Sequence, residues 1–502
     1  MDQKQAETLV KTTFNQRYDE KRFISFINEL LNGAGDFRPH VLGGSTISQG
    51  PFKEYIQSYQ YFGRYTDANK NDILIISVWL RRNLSRDRAR VMQRNFAADF
   101  ISGKIDKITP GMAALVAFYG DDPDDWRLSF VKVDTELVCN EKEVCITKTL
   151  SPAKRSSFLV GLHEPSHTCM KRFCPLILET KEQPTLSQLE EIFHVEAVTR
   201  LFFNEYLACY TKLTASLQKI INSDKVVHDE FENKNIEASE FSKKLMGQIV
   251  FLYFLQKKGW LGVKQDKEWG TGPKDFMKQL FEGKIVPYDN FFDDILEPLF
   301  YEALAQKRDS DYYSRFGLRI PFLNGGLFEP MKGYNWVKTN IRLENKIFKQ
   351  IILDTFERYN FTIKEDEPLE REVAVDPEML GKVFESLLNI TERKSKGAFY
   401  TPRFIVHYIC QKSLIGYLSK HVPIPLADIE TLIQKGDEFY ASTLQQTKYS
   451  FNKDPNIQIL PQSISEHALE LDDLLKNIKV ADPAVGSGAF PVGMMNEIVK
   501  AR

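Results

Sequence analysis

The stretch Lys479-Val480-Ala481-Asp482-Pro483-Ala484-Val485-Gly486-Ser487-Gly488-Ala489-Phe490 lies near the carboxyl end of the chain and decides how that end folds. An apolar run is followed by an acidic-proline step and small residues. The next apolar residues recur at helical spacing, at Phe490, Met494 and Ile498. This pattern predicts a strand, a tight Gly-rich turn and a helix. Gly486 and Gly488 allow the backbone to approach a ligand closely, and the helix start offers N–H groups to a carboxylate or phosphate.

The residues missing from this turn narrow the choice of ligand. No Lys-Ser/Thr pair follows Gly488, which excludes a P-loop, and Gly493 falls two places too late for a dinucleotide fingerprint. A Gly-Ser-Gly turn can also merely connect a strand to a helix. The whole run, however, resembles the S-adenosylmethionine (SAM) loop of DNA amino-methyltransferases. The resemblance implies cofactor contacts from Asp482, Pro483, Ala484, Gly486, Ser487, Gly488 and Phe490.

A second motif, Gly397-Ala398-Phe399-Tyr400-Thr401-Pro402-Arg403, precedes the first one. Thr401 is a good helix N-cap and Pro402 suits a first helical position. The predicted helix carries one apolar face, made of Val406, Cys410, Leu414 and Tyr417. On residues alone this is a capped helix that packs on a sheet. The motif also resembles the other SAM-contacting motif of the same enzymes, which implies that Ala398, Phe399, Tyr400, Thr401 and Pro402 cradle the methionine end of the cofactor.

The order of the two motifs resembles that of N6-adenine methyltransferases. The run from Val375 to Glu385 predicts a helix capped by Asp376 and opened by Pro377. It resembles the segment that leads into the methylase core of type IIG enzymes, in which restriction and modification are fused. Two further stretches, 245–260 and 321–328, resemble the same enzymes. The resemblance therefore covers about the last three hundred residues.

The sequence lacks the motif that would do the chemistry. Methylation of a base amino group needs the base swung out of the duplex into a pocket. The family meets this need with an Asn/Asp-Pro-Pro-aromatic motif, and neither Asp454-Pro455-Asn456 nor Glu164-Pro165-Ser166 is one. The acidic residue that binds the cofactor ribose is also absent, so the catalytic residues stay unassigned. We expect the amino-terminal portion of a longer enzyme, truncated or split, with a downstream chain as a possible partner and no activity alone.

Composition indicates an ordinary globular protein of about three domains, with 43% hydrophobic and 27% charged residues. The net charge of −2 gives no global attraction to double-stranded DNA, so any contact must come from local basic patches. The six cysteines show no Cys-x-x-Cys spacing, which fits a reducing cytoplasm. Neither a signal peptide nor an apolar run of membrane-spanning length occurs, and we expect no membrane partner.

The predicted fold is multidomain, α/β plus α. Residues 1–185 read as a mixed α/β domain, with a helix near 23–31, strands at 73–79, 114–119 and 126–133, and a basic helix at 86–100. Residues 186–372 read as a largely helical connector. Residues 373–502 read as the start of a Rossmann-like SAM-dependent methyltransferase domain, in which the polar segment 421–475 is predicted to be an irregular connection.

By analogy with type IIG enzymes, the first domain is where a Mg²⁺-dependent nuclease would lie. That chemistry needs two or more carboxylates and a lysine on adjacent strands. The candidates are Glu54, Asp72, Asp134 and Glu136, with Lys132 nearby. No Glu-x-Lys follows Asp72, because Val78-Trp79-Leu80-Arg81 stands there, and Glu141-Lys142-Glu143 reads as a solvated turn. A degenerate or unrelated domain is the favoured interpretation.

Two further clusters have both a functional and a bland interpretation. Arg86, Arg90 and Arg94 recur at i, i+4 and i+8, so one helix face could contact DNA phosphates or simply be solvated. His163, His167, Cys169 and Cys174 fit no standard zinc spacing, and we assign no metal site.

Three functional hypotheses follow from these residues. The first is the cofactor-side half of an adenine-N6 DNA methyltransferase in a restriction-modification or phage-defence system. The second is a non-catalytic DNA-binding or scaffold module of a split enzyme. The third is a Mg²⁺-dependent endonuclease in the first domain.

Overall fold

The computed structural model describes residues 1–33, 37, 44–50, 52–81, 87–105, 108–121, 124–133, 135–139, 146–150, 153–179, 182–323, 326–363, 369–377, 401–436, 460–485 and 488–502. No helix within these ranges is long and apolar enough to cross a membrane. The chain is mixed α/β, as predicted.

A seven-stranded mixed sheet organises the amino-terminal part, with strand order β1-β2-β3-β4-β5-β8-β11. The pairs β3–β4 and β8–β11 are parallel, and the other neighbours are antiparallel. A separate hairpin joins β6 to β7. The strands up to β8 are β1 (Gly44–Thr46), β2 (Ile56–Thr66), β3 (Asp72–Leu80), β4 (Ala113–Tyr119), β5 (Asp125–Lys132), β6 (Thr135–Cys139), β7 (Ile146–Leu150) and β8 (Lys154–Gly161).

Helices cover both faces of this sheet, because its strands β2, β3 and β4 are apolar on both sides. Helix α3 packs on one face through Met92, Phe96 and Phe100. The opposite face is covered by four other helices, and Trp126 and Phe158 lie in its core. The five helices are α1 (Gln3–Phe14), α2 (Glu20–Leu30), α3 (Asp87–Ile101), α4 (His167–Leu178) and α5 (Leu186–Ile192).

The middle of the chain, residues 195–363, is largely helical, as predicted. Two consecutive π-helices, Phe292–Leu296 and Leu299–Leu304, interrupt the α-helical pattern, and a short hairpin joins β9 (Tyr312–Tyr313) to β10 (Leu318–Arg319). Its apolar core is continuous with that of the second sheet face. The α-helices are α6 (Val195–Ser223), α7 (Lys225–Asn233), α8 (Ala238–Lys257), α9 (Phe276–Phe281) and α10 (Asn345–Ile352).

The strand β11 (Glu370–Glu372) returns from this helical part and pairs in parallel with β8. Arg155 faces Glu370 and Ser157 faces Glu372 in the register. Residues 370–372, which the sequence assigned to the end of the helical connector, therefore complete the edge of the first sheet. Three residues of mixed polarity carry too weak a period to predict a strand.

The carboxyl-terminal part forms a separate group of helices around its own apolar core. The described residues of 401–502 contain no strand, so Lys479–Asp482 is not the predicted strand, because a strand needs a paired neighbour. The segment 421–475, predicted to be irregular, instead contains helices within its described ranges. The helices of this terminal helix group are α11 (Arg403–His421), α12 (426–436), α13 (Gln462–Glu466), α14 (Ala468–Asn477) and α15 (Ala489–Ala501).

Candidate cofactor site

Helix α11 begins directly after the Thr401-Pro402 step. Pro402 is the N-cap, with an extended ψ of 140°, and Arg403 is the first helical residue. The helix thus starts one residue later than predicted, because the extended Pro402 is not yet helical. The predicted apolar face is confirmed, since Val406, Cys410 and Leu414 are buried. The other predicted contacts, Ala398, Phe399 and Tyr400, lie outside the described residues.

The Gly-rich turn leads into α15. The Asp482 Oδ1 atom accepts a hydrogen bond of 2.9 Å from the Ala484 N–H, which closes a local turn. Gly488 is the N-cap and has a φ of 84°, a conformation that favours glycine. Its carbonyl accepts the Val492 N–H at 3.0 Å and so starts the helix. Gly486 and Ser487 lie outside the described residues; Pro483 and Ala484 are exposed in this turn, and Phe490 is half-buried in the first turn of α15.

Helices α11 and α15 pack together at very short range. A Cβ atom placed on Gly493 would lie 2.6 Å from Val406 Cγ1 and 3.5 Å from Cys410 Sγ. The Cys410 thiol also donates to the Phe490 carbonyl oxygen over 3.7 Å. Gly493 is therefore needed for close helix approach. In the sequence, Gly493 stands out only as a glycine two places too late for a dinucleotide fingerprint.

A buried polar bridge accompanies this contact. His407 Nδ1 lies 2.5 Å from Glu497 Oε1, and Gln411 Nε2 donates to Glu497 Oε2 at 3.0 Å. His407 is 6% exposed and Glu497 is 1% exposed. Burial alone would raise the pKa of Glu497, but the His407 and Gln411 hydrogen bonds and the charge of Lys500 together lower it. The bridge was missed in the sequence, where the only signal is a polar residue on each of two apolar faces.

The contact between α11 and α15 lies close to the start of each helix. Val406 is the fourth residue of α11 and Gly493 the fifth of α15. At 1.5 Å per residue, each helix begins within about 6 Å, along its axis, of their contact. Both starts carry N–H groups without intrahelical partners, which favour an anionic group. One Asp482 oxygen, Oδ2, is also buried without a hydrogen-bond partner, so it can accept from a ligand.

The outer faces of both helices are apolar and exposed. Phe404 is 70% exposed, Tyr408 62%, Met495 56% and Val499 68%. Such a concentration of exposed apolar side chains is typical of a surface that contacts another element or chain.

The candidate nuclease residues are not assembled into one site. Asp72 forms a 2.5 Å ion pair with Arg64 and accepts from the Thr66 hydroxyl. Lys132 pairs with Glu190 at 2.9 Å. Asp72 lies on the α3 side of the sheet and Lys132 on the opposite side, because each has the strand parity of that face.

The remaining candidates do not supply a metal site in the described structure. Glu54 is exposed on a turn before β2, whereas Asp134, the Glu136 side chain and Glu141 to Glu143 lie outside the described residues. Among those described, no group of three or more His, Cys, Asp or Glu side chains could hold a metal ion.

The predicted DNA-binding face of α3 needs a correction. Arg90 is 6% exposed and Arg94 is 2% exposed. Arg90 lies 3.8 Å from both Glu370 and Glu372 of β11. Both side chains are buried inside the protein rather than presented to a phosphate backbone, and β11 brings two carboxylates close to Arg90. Arg86 lies outside the described residues.

The histidines and cysteines considered for zinc differ in exposure and in the groups that they contact. The His163 side chain is 60% exposed, whereas His167 is buried with its Nδ1 atom 3.0 Å from Arg358. Cys169 and Cys174 are buried and free, and burial raises the pKa of Cys174 to about 11. Thiols held neutral in this way are poor metal ligands.

A cavity of about 650 Å³, which no sequence pattern indicated, lies between the end of β8 and the helical part. Lys257 Nζ lies 2.5 Å from Glu164 Oε1 there, and the Tyr253 hydroxyl donates to Glu357 Oε1 at 3.0 Å. Burial raises the pKa of Glu357 to about 7. These charges largely pair with one another, and the geometry favours no one class of ligand.

Comparison with known proteins gives one informative match. The chain is 29% identical over 357 residues to a Methanocaldococcus jannaschii protein named "putative type II restriction enzyme and methyltransferase". The alignment covers 66% of this chain and 27% of that relative, so the chain spans only part of the relative's length. No family model and no solved structure matches the chain. The similarity agrees with the resemblance to fused restriction-modification enzymes that the motifs indicate.

Proposed function

We propose that this chain forms the cofactor-binding side of a SAM-dependent DNA methyltransferase with a Rossmann-like core. The enzyme would methylate the N6 amino group of adenine in double-stranded DNA, within a cytoplasmic restriction-modification or phage-defence system. The observation that carries the proposal is the packing of α11 against α15 at Gly493 and Val406. Two motifs that resemble the two SAM-contacting motifs of one family thereby precede two helices in direct contact.

The two motifs take different parts of the cofactor in this proposal. Ala398 to Pro402 hold the methionine end, and the turn from Asp482 to Phe490 approaches the cofactor through its backbone. Asp482 supports this role, because one of its oxygens shapes the turn and the other is a buried acceptor without a partner. When bound, SAM supplies the methyl group as a sulfonium. The His407–Glu497–Gln411 bridge keeps the two helix starts in place.

The base-binding side is proposed to come from further polypeptide, on a downstream segment or a partner chain. The absence of an Asn/Asp-Pro-Pro-aromatic motif supports this, and so do the exposed apolar faces of α11 and α15. A methyltransferase sheet that packed on these faces would bury them and gain about 25 cal/mol per Å² of apolar surface.

The proposal is tested by calorimetric titration of the chain with SAM, alone and together with the polypeptide encoded immediately downstream. Asp482→Asn should weaken binding about tenfold, the loss expected for one hydrogen bond to a charged group. The control Asp473→Asn changes an exposed aspartate on α14 and should bind normally. If the reconstituted pair binds no SAM and transfers no tritiated methyl group to unmethylated DNA, the methyltransferase proposal is wrong and the scaffold hypothesis gains support.

The relative's name also favours a second candidate function, DNA cleavage. This function is assayed with the full chain, DNA and Mg²⁺, with Asp72→Ala and Asp134→Ala as variants. Loss of cleavage in both variants would assign those carboxylates to metal binding. Because Asp72 is already paired with Arg64, we expect cleavage, if it occurs, to be indifferent to Asp72→Ala.

A further inference from the structure

The face of the sheet under α3 changes character across its width. The side chains that β2, β3 and β4 contribute to this face are apolar, whereas those of β5, β8 and β11 are largely polar. Register places Ser129 opposite Ser157 and Glu372 opposite Ser157, so the side chains of all three strands line one face. The polar residues of this face, together with those that α3 places over it, are named here the arginine cluster: Arg90, Gln93, Arg94, Arg127, Ser129, Arg155, Ser157, Glu370 and Glu372.

The arginine cluster is buried and carries unequal charge. Its four arginines are 6% exposed or less, and its two glutamates are 5% and 4% exposed. The neighbouring Lys257 and Glu164 form their own ion pair at 2.5 Å and leave the balance unchanged. Counted over the residues that the structure describes, the cluster therefore holds four positive charges against two negative ones. Unpaired buried charge costs several kcal/mol per ion, so a fold that keeps it needs a compensating group.

Both carboxylates of the cluster contact arginines through their Oε2 atoms. Arg127 Nη1 lies 2.9 Å from Glu372 Oε2, and Arg155 Nη2 lies 3.0 Å from Glu370 Oε2. Arg155 Nη1 also donates to Gln93 Oε1 at 2.7 Å. Arg90 lies 3.8 Å from each glutamate. Arg94 is only 2% exposed and adds a further positive charge beside Arg155.

The polar atoms left over are mainly donors. Arg90 Nε, Arg127 Nε, Gln93 Nε2 and Ser129 Oγ are buried without a hydrogen-bond partner, and Glu370 Oε1 is an acceptor in the same state. Burial lowers the pKa of Arg155 to about 9. The positive charges of Arg90, Arg127 and Arg94 also lower this pKa, whereas Glu370 opposes the shift. Surplus N–H donors and surplus positive charge together require the same kind of ligand, an anion.

We propose that the arginine cluster binds a small inorganic anion of the size of chloride between α3 and strands β5, β8 and β11. The ion accepts hydrogen bonds from Arg90, Gln93, Arg94 and Arg127 and neutralises part of the surplus charge. Because each ligand is more than nine-tenths buried, the site takes a compact ion rather than a nucleotide or a DNA phosphate. This inference is independent of the methyltransferase proposal.

The anion has a structural consequence for β11. The carboxylates of Glu370 and Glu372 are the only described acidic groups that hold this edge strand on the arginines, and the ion shields the arginines from one another. Occupancy should therefore stabilise the docking of β11, which leads into the segment that resembles the start of the methylase core.

Crystals of the full chain grown in sodium bromide test the site directly. We expect an anomalous bromide peak within hydrogen-bond distance of Arg90, Arg94 and Arg127. The variant Arg94→Gln should lose the peak, whereas Arg200→Gln, which changes an exposed arginine on α6, should keep it. A water molecule in place of the peak, or a peak that survives Arg94→Gln, would overturn the proposal.

Thermal unfolding distinguishes a specific anion site from the outcome of an adventitious ion only. At constant ionic strength, replacing gluconate by chloride at about 100 times its dissociation constant should raise the melting temperature by several degrees. Sulfate and phosphate should stabilise less, because they are larger. The chloride effect should disappear in Arg94→Gln and persist in Arg200→Gln. Equal melting temperatures of the wild type in chloride and gluconate would mean binding at crystal concentration only and would sink the proposal.

Discussion

The sheet and the terminal helix group treat apolar side chains in opposite ways. In the sheet, both faces are covered, and residues such as Trp126 and Phe158 are almost fully buried. In the terminal helix group, α11 and α15 bury one face and expose the other, with Phe404 70% and Val499 68% exposed. A chain can thus hold one unit whose core is closed and another whose fold has a surface still to be covered. The stability of the closed unit should therefore depend most on its buried ion pairs, and that of the open unit on the contact between α11 and α15.

Removing a buried carboxylate from the closed unit should have the largest effect. Glu372→Gln leaves Arg127 without its carboxylate partner and Arg90 with Glu370 alone, so unfolding free energy should fall by about 3–5 kcal/mol. Glu190→Gln removes the partly exposed partner of Lys132 and should cost less than about 1 kcal/mol. Urea titration followed by tryptophan fluorescence measures both. Equal losses would show that burial does not set the strength of these ion pairs.

Adding one methyl group at the helix contact of the open unit should come next. Gly493→Ala places a Cβ 2.6 Å from Val406 Cγ1 and should destabilise the terminal helix group by about 1–3 kcal/mol. Gly416→Ala is the matched control, because no atom lies within 4 Å of its Cβ position and helix propensity predicts a gain of up to about 1 kcal/mol. Adding Val406→Ala should rescue Gly493→Ala. Without rescue, the close approach of α11 and α15 would be in doubt.

The stability contributed by the cavity between β8 and the helical part should decrease with rising pH. Glu357 has a pKa of about 7, raised by burial from 4.5, so the folded state holds its proton more tightly than the unfolded state does. Stability should therefore decline between pH 4.5 and pH 7 and stay lower above that range. Glu357→Gln should remove this decline, which melting temperatures at pH 5 and pH 8 would reveal. A variant with the same pH profile as the wild type would contradict the assignment.

The bridge in the open unit should respond to falling pH instead. The pKa of Glu497 is lowered, so its contribution is present above pH 4.5 and is lost as pH falls through its folded value. Glu497→Gln should cost about 1–3 kcal/mol at pH 7, because it leaves His407 with a weaker partner. The difference from the wild type should shrink in acid. Hydrogen exchange of α11 and α15 amides measures it, and a difference that grows in acid would refute the pairing.

Changes on the exposed face of the open unit should have the smallest effect on stability. Phe404→Ser and Val499→Ser should alter unfolding free energy by no more than about 0.5 kcal/mol, since neither side chain is buried. They should nevertheless reduce the binding of a hydrophobic dye and weaken association with the downstream polypeptide. A large loss of stability in the isolated chain would mean that this face is already covered.

The sequence predicted regular elements best where apolar periods were long. The strands around Ile73 and Trp126 and the apolar face of α11 were all found. It failed where a contact between distant segments decides the structure. The short β11 is a strand only because β8 offers a partner, and the arginines of α3 are buried only because β11 supplies Glu370 and Glu372.

In the candidate site, too, the features set by local sequence were predicted and those set by contacts between distant segments were not. Local turn chemistry located Thr401-Pro402 and the turn before α15, because caps and glycines act within a few residues. Gly493, His407 and Glu497 depend on how two helices meet, and no local pattern encodes that meeting. The strand predicted before Gly486 failed for a related reason, since in the described residues no neighbouring strand pairs with it.

The position of β11 also bears on how this protein is made. Arg155 and Glu370 are 215 residues apart in the chain, yet their strands are neighbours in one sheet. During synthesis, β8 can pair with β11 only after the entire helical part has left the ribosome. Until then the backbone groups on that edge are unpaired and Arg155 lacks Glu370, so a nascent chain interrupted in this interval would be the species most exposed to aggregation.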